Sequence, residues 1–238
     1  MPREELSILK GLNGRILPDA EERKRQSEQF WASRPAVGYV LAGGASSRFG
    51  QDKALADLGG KAVLERMLEL LRGSGVREAL VVGPKTRYGR FGARCIKDTW
   101  PAEGPLGGII TALHKTGVDK YGYRWCLILG CDMPFLTTEW LRFLVERALQ
   151  SSAEVVVPKS THGWEPLCAC WRASTIGMIR PLFEAGTRKV TDALNVLDVE
   201  VLDEKDWKRF DRDGRLFWNM NTPADYEEAL RVLEAEKK

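Results

Sequence analysis

Apolar positions follow two rhythms along this chain. Short continuous apolar runs bounded by glycine, proline or charge predict buried strands, and apolar residues three and four apart predict amphipathic helices. Val37, Tyr39, Val40 and Leu41 begin the series as a short strand. Leu64, Met67, Leu68 and Leu71 then recur at helical spacing within residues 61–72, with Lys61, Glu65, Glu69 and Arg72 on the other faces. Gly73 and Gly75 stop that helix. Residues 79–82 predict a second strand, closed by Gly83 and Pro84. Strand, loop, helix, strand is a βαβ unit, which implies parallel pairing.

The alternation continues. Residues 94–97 predict a short strand with Asp98 at its carboxyl end, and Pro105 fits the first turn of a helix striped by Leu106, Ile109, Ile110 and Leu113. Residues 125–130 form a near-continuous apolar run, as expected of a central parallel strand, and deliver Asp132 just past its tip. Leu141, Leu144, Val145 and Ala148 line a helix over residues 138–149. Residues 154–158 predict a strand, and 165–171 another, expected antiparallel and towards the sheet edge. A helix over 174–183, a short helix opened by Arg188, Lys189 and Asp192, and a small strand at 200–202 follow. Thr222 is a good N-cap, Pro223 fits the first helical position and Asp225 completes a capping box. Tyr226, Ala229, Leu230 and Leu233 make the last helix amphipathic.

Residues 1–35 break this pattern. They are charged, with a solvated run at residues 21–25, and predict a helix near 19–31 between Pro18 and Pro35. We read them as an N-terminal extension packing loosely on a domain that spans 36–238; a partner contact through Phe30 and Trp31 is the other reading. The chain has 238 residues and 44% hydrophobic content, ample for a buried core. Its formal charge of +3 does not indicate nucleic-acid binding. No apolar run is long enough to span a bilayer, and the N-terminus lacks the apolar region of a secretory signal. Five cysteines without a Cys-x-x-Cys spacing suggest reduced thiols in a cytoplasm, not a disulfide framework or zinc site.

The candidate chemistry starts in the turn after the first strand. Gly43 and Gly44 let backbone N–H groups approach a bulky anion, Ser46 adds a hydroxyl, and Arg48 and Lys53 add positive charge. A polyphosphate cradle has this composition; so does an ordinary glycine turn with two surface cations. Neither the P-loop pattern nor the Gly-x-Gly-x-x-Gly fingerprint fits. Asp98 lies where ligands bind in open α/β sheets, beyond a strand's carboxyl end, though a cap or turn residue would also sit there. Gly107 and Gly108 weaken their helix by about 1 kcal/mol each; close approach of a ligand and tight helix packing both explain them. A carboxylate at Asp132 could hold Mg²⁺ against phosphates on the first loop. Asn219 and Asn221 have amides that can ligate metal or substrate, or simply bond turn backbone. His114 and His162 form no catalytic set and read as structural or surface residues.

Residues 41–53 match Leu-Ala-Gly-Gly-x-Ser-x-Arg-x-Gly-x-x-Lys without a gap. Together with Gly104-Pro105-Leu106-Gly107-Gly108, Cys131-Asp132-Met133-Pro134 and Asn219-Met220-Asn221-Thr222-Pro223, this resembles the molybdenum cofactor guanylyltransferase family of nucleotidyltransferases. Glu165-Pro166-Leu167 is similar to a weaker element of that family. The resemblance runs from about residue 36 to the C-terminus. It implies an α/β fold, a three-layer Rossmann-like nucleotidyltransferase domain with a mostly parallel central sheet. It also implies an activity: GMP passes from GTP to the terminal phosphate of molybdenum-molybdopterin, with release of pyrophosphate. By position, Leu41, Ala42, Gly43, Gly44 and Asp98 would contact nucleotide, Lys53 its phosphates, and Asp132 both nucleotide and Mg²⁺. Arg48, Lys53 and Asp132 would carry catalysis, and Asn219 and Asn221 would meet substrate. Molybdenum-insertion proteins and recipient molybdoenzymes are the implied protein partners, with neither nucleic acid nor membrane among them. The chain departs from the family at Gly83-Pro84, where an asparagine often helps hold the nucleotide. A CTP-dependent transferase acting on molybdopterin or a small alcohol phosphate, and an inactive nucleotide-binding regulator, are the competing readings.

Overall fold

The computed structural model describes residues 36–43, 50, 52–117 and 125–235. The readings for residues 1–35, for Gly44, Ser46 and Arg48, and for the residues between 118 and 124 lie outside these. Eight strands form one sheet: β1 (Ala36–Leu41), β2 (Ala79–Val82), β3 (Arg94–Ile96), β4 (Trp125–Leu129), β5 (Val155–Ser160), β6 (Gly163–Trp164), β7 (Cys168–Arg172) and β8 (Val199–Leu202). Their order is β3-β2-β1-β4-β7-β5-β6, with β8 pairing β5. Strands β1 to β4 are mutually parallel where they pair, and β8 runs parallel to β5. Among the described strands, the pairs β4–β7, β5–β7 and β5–β6 are antiparallel.

Period-2 alternation explains why β1 is apolar throughout. Val37 and Tyr39 face one layer; Ala36 and Val40 face the other. On the first face Val37, Tyr39, Leu80 and Ile128 meet three helices: α3 (Pro105–Gly117), α5 (Ile176–Glu184) and α6 (Val190–Leu194). On the second, Val40, Val81 and Leu127 meet α1 (Val63–Gly73), α4 (Thr138–Gln150) and α8 (Pro223–Ala235). Helices on both faces give the three layers, and a strand buried on both sides carries no polar alternation. The Tyr39 hydroxyl shares a 2.8 Å hydrogen bond with Thr116 Oγ1, so its polar end is satisfied inside the core. Two short helices, α2 (Lys85–Tyr88) and α7 (Glu204–Trp207), fill connections that carry too few residues to show a period. No described helix is long and apolar enough to cross a membrane.

One strand sits elsewhere than expected. The segment at 165–171 is antiparallel as predicted, but β7 is interior, between β4 and β5, and begins at Cys168. Residues 165–167 form a turn instead, closed by Cys168 N–H donating to Glu165 O at 2.9 Å. The correction has a physical reason: Cys168, Ala169, Cys170 and Trp171 are all buried, a pattern that suits an inner strand and not an edge. The capping box of α8 is present. Thr222 N–H donates to Asp225 Oδ2 at 2.7 Å and Asp225 N–H to Thr222 Oγ1 at 3.2 Å.

Register then positions the site. Leu41 pairs with Val82, Val82 with Ile96, and Val40 with Leu129. The carboxyl ends of four parallel strands therefore stop at one edge. Antiparallel β7 starts at that edge, because Cys168 pairs with Leu129.

Candidate active site

A cavity of about 400 Å³ occupies that edge. Leu41, Ala42 and Gly43 reach it from β1, Asp98 from beyond β3, Asp132 from beyond β4, and Lys53 from the returning loop. The chain thus brings together most of the positions singled out in the sequence; Gly44 and Arg48 lie outside the described residues. Ala42 N–H still donates to Val82 O at 2.9 Å, so the ladder runs to the rim. Gly43 has φ +113°, in the left-handed region. Conformation, not space, demands glycine there, since an added Cβ would meet nothing nearer than 3.7 Å.

Lys53 opens a 3-10 turn, Lys53–Leu55, capped by Asp52, whose Oδ1 accepts from Ala54 N–H at 3.1 Å. The Lys53 ammonium donates to Asn221 Oδ1 at 3.1 Å. Asn221 is held next to α8 by its own N–H, which donates to Asp225 Oδ2 at 2.8 Å. Residues 217–222 form no strand, and the two asparagines have different partners. Asn219 Nδ2 donates to Phe217 O at 3.2 Å, and its side chain lines an adjoining cavity with Asp132 and Glu165.

Asp132 is the anomaly of the site. Its Oδ1 is buried and has no hydrogen-bond partner, alone in this among the described side chains. Burial pushes its carboxyl above the usual range, opposed by the positive charge of Lys53. A carboxylate with an orphaned oxygen, on a residue that lines a cavity, has the chemistry of a ligand for a hard cation. No group of three or more His, Cys, Asp or Glu gathers there among the described residues.

Asp98 makes turn hydrogen bonds and also reaches the cavity. Its Oδ1 accepts from Trp100 N–H at 3.1 Å and from Thr111 Oγ1 at 2.9 Å, and the residue lines the cavity. Gly107 is explained by packing, since a Cβ would stand 3.1 Å from Trp100 Cβ. Gly108 packs on Leu41 and also lines the cavity. Helix α3 starts at the cavity wall, where the positive end of its dipole favours an anion.

Two features of the site were not singled out as site residues in the sequence. Glu165 is only 8% exposed, accepts from Ser160 Oγ at 2.6 Å, and is pushed above the usual carboxylate range by burial. Its place in the Glu-Pro-Leu element was its one signal. Asp52 also lines the cavity, and adjacency to Lys53 was the signal it carried. At Gly83 an added Cβ would lie 2.6 Å from Ala42 O and 2.7 Å from the Tyr88 ring. The position has no room for a side chain.

Comparison with known proteins bears on the family and the fold. Residues 38–200 match the model of the MobA-like NTP transferase domain. A probable molybdenum cofactor guanylyltransferase from Pelotomaculum thermopropionicum is 32% identical over 200 residues, 84% of this chain and 94% of the relative. The molybdenum cofactor guanylyltransferase of Desulfosudis oleivorans is 29% identical, covering 84% of this chain and 96% of the relative. The crystal structure of molybdopterin-guanine dinucleotide biosynthesis protein A from Archaeoglobus fulgidus superposes with a TM-score of 0.72 at 26% identity, over 84% of this chain and 99% of that one.

Proposed function

Because the chain belongs to the MobA-like NTP transferase family, and is thus a nucleotidyltransferase, we propose that it transfers GMP from GTP to the terminal phosphate of molybdenum-molybdopterin. The products are molybdopterin guanine dinucleotide and pyrophosphate. The supporting observation is that Lys53 and Asp132, 79 residues apart in sequence (132 − 53), line one cavity at the carboxyl ends of parallel strands.

In this reading the loop from Leu41 through Gly44 holds the nucleotide with Asp98, and Asn219 and Asn221 meet the acceptor. A terminal phosphate oxygen of molybdopterin attacks the α-phosphorus of GTP in line. One P–O bond forms, the bond to the β-phosphate bridge breaks, and pyrophosphate departs. The nucleophile is already anionic, so the chain needs no general base. Arg48, Lys53 and the dipole of α3 offset the charge that grows on the departing pyrophosphate. Asp132 would hold Mg²⁺, and an ion bound there supplies charge neutralisation to the phosphates. The free cysteines fit a cytoplasmic reaction.

Incubation with Mg²⁺, molybdopterin and either GTP or CTP, followed by product mass, tests this. We expect a product heavier than the acceptor by one GMP residue, with GTP alone. A CMP adduct would reassign the base; no adduct with either nucleotide would overturn the reading.

A further inference from the structure

The cavity wall carrying Lys53 is fixed by a side chain outside the substrate-facing set. Tyr88, at the end of α2, is wholly buried. Its hydroxyl donates to Asp52 Oδ2 at 2.9 Å, and Arg87 donates to the same oxygen at 3.1 Å. The other Asp52 oxygen accepts from Ala54 N–H, and Leu55 N–H donates to Asp52 O at 3.0 Å. Lys53 is therefore bracketed: the residue before it is pinned by Tyr88, and the two after it are tied back to that same residue. The tyrosine ring reaches this place only because residue 83 is glycine, since a Cβ there would press on both the ring and Ala42 O.

The arrangement also answers an electrostatic problem. Asp52 lines the cavity, and an unpaired carboxylate there would repel a triphosphate. Tyr88, Arg87 and Ala54 N–H take up both carboxylate oxygens, and Lys53 beside it brings a positive charge to the same cavity wall.

We propose that Tyr88 is a positioning residue that acts through Asp52 to hold the Lys53 ammonium against the triphosphate. This deepens the functional reading above and rests on it for the role of Lys53. Arg87 is half-exposed and contributes less, because solvent screens its ion pair.

A double-mutant cycle of Tyr88→Phe and Lys53→Ala tests the coupling. Phenylalanine keeps the ring over Gly83 and removes only the hydroxyl. The readouts are kcat for guanylyl transfer, the ratio of GMP to GTP dissociation constants, and the melting temperature. With Lys53 present, Tyr88→Phe should lower kcat about tenfold, the scale of one lost hydrogen bond to a charged group. It should also reduce the preference for GTP over GMP several-fold, on the order of the same single interaction. With Lys53→Ala in place, the same substitution should change neither. A merely structural tyrosine would lower the melting temperature and leave both ratios alike in the two backgrounds; that result, or no loss in either background, overturns the proposal. An unchanged kcat in Lys53→Ala alone would instead remove the lysine's catalytic role. Without turnover in the wild type, the nucleotide-affinity ratios still decide whether Tyr88 and Lys53 are coupled.

Discussion

At the scale of single residues, Asp132 is the most informative. Burial holds its pKa in the folded chain above the unfolded value, so between those two values the native state keeps a proton the unfolded state has released. The stability contribution is therefore greatest below the unfolded pKa and is lost as pH rises through the folded one. Above that window Asp132 carries a buried charge with one unpaired oxygen. Asp132→Asn should match or exceed the wild type in melting temperature at neutral pH without metal, by about a few degrees at most. Added Mg²⁺ should raise the melting temperature of the wild type and not of the variant. A variant that melts lower without metal, or gains as much from Mg²⁺, would contradict this account of the site. Asp132→Ala should lose turnover by about two to four orders of magnitude, the range of electrostatic terms in catalysis. Retained Mg²⁺-dependent activity would remove the metal role. Lys53→Ala should damage kcat more than the KM for GTP, as expected of a charge that matters most once pyrophosphate is leaving.

At the scale of elements, the terminal helix does more than cover the sheet. Its capping box fixes Asn221, and Asn221 accepts from Lys53. Thr222→Ala should cost about 1 kcal/mol in urea unfolding, the usual worth of an N-cap. It should also lower guanylyl transfer although residue 222 does not line the cavity. Stability loss with full turnover would mean that α8 is packing alone. The βαβ unit was legible from the helical period between its strands, and the central strand from its unbroken apolar run. Strand β7 was recognised as antiparallel but put near the edge. Its buried run of cysteines, alanine and tryptophan says that both faces are covered, yet says nothing about which neighbours cover them. The hairpin of β5 with β6 was not foreseen, because two residues cannot show an alternation.

At the scale of the whole molecule, both hydrophobic layers among the described residues draw on positions from Ala36 onward. A chain lacking residues 1–33 should then fold and keep its mass in solution. A change of oligomeric state would give the N-terminal extension the partner-contact role instead. The sequence by itself determined the α/β class, the motif order and the chemical kind of each candidate side chain, because periodicity and residue type are local properties. Only the tertiary structure decided that Lys53, Asp98 and Asp132 share one cavity, since strand register sets which loop ends meet. It alone revealed that Asp132 is left with an unpaired oxygen and that Tyr88 braces Asp52. Burial and hydrogen-bond satisfaction depend on neighbours brought in from distant parts of the chain, and no local pattern encodes them.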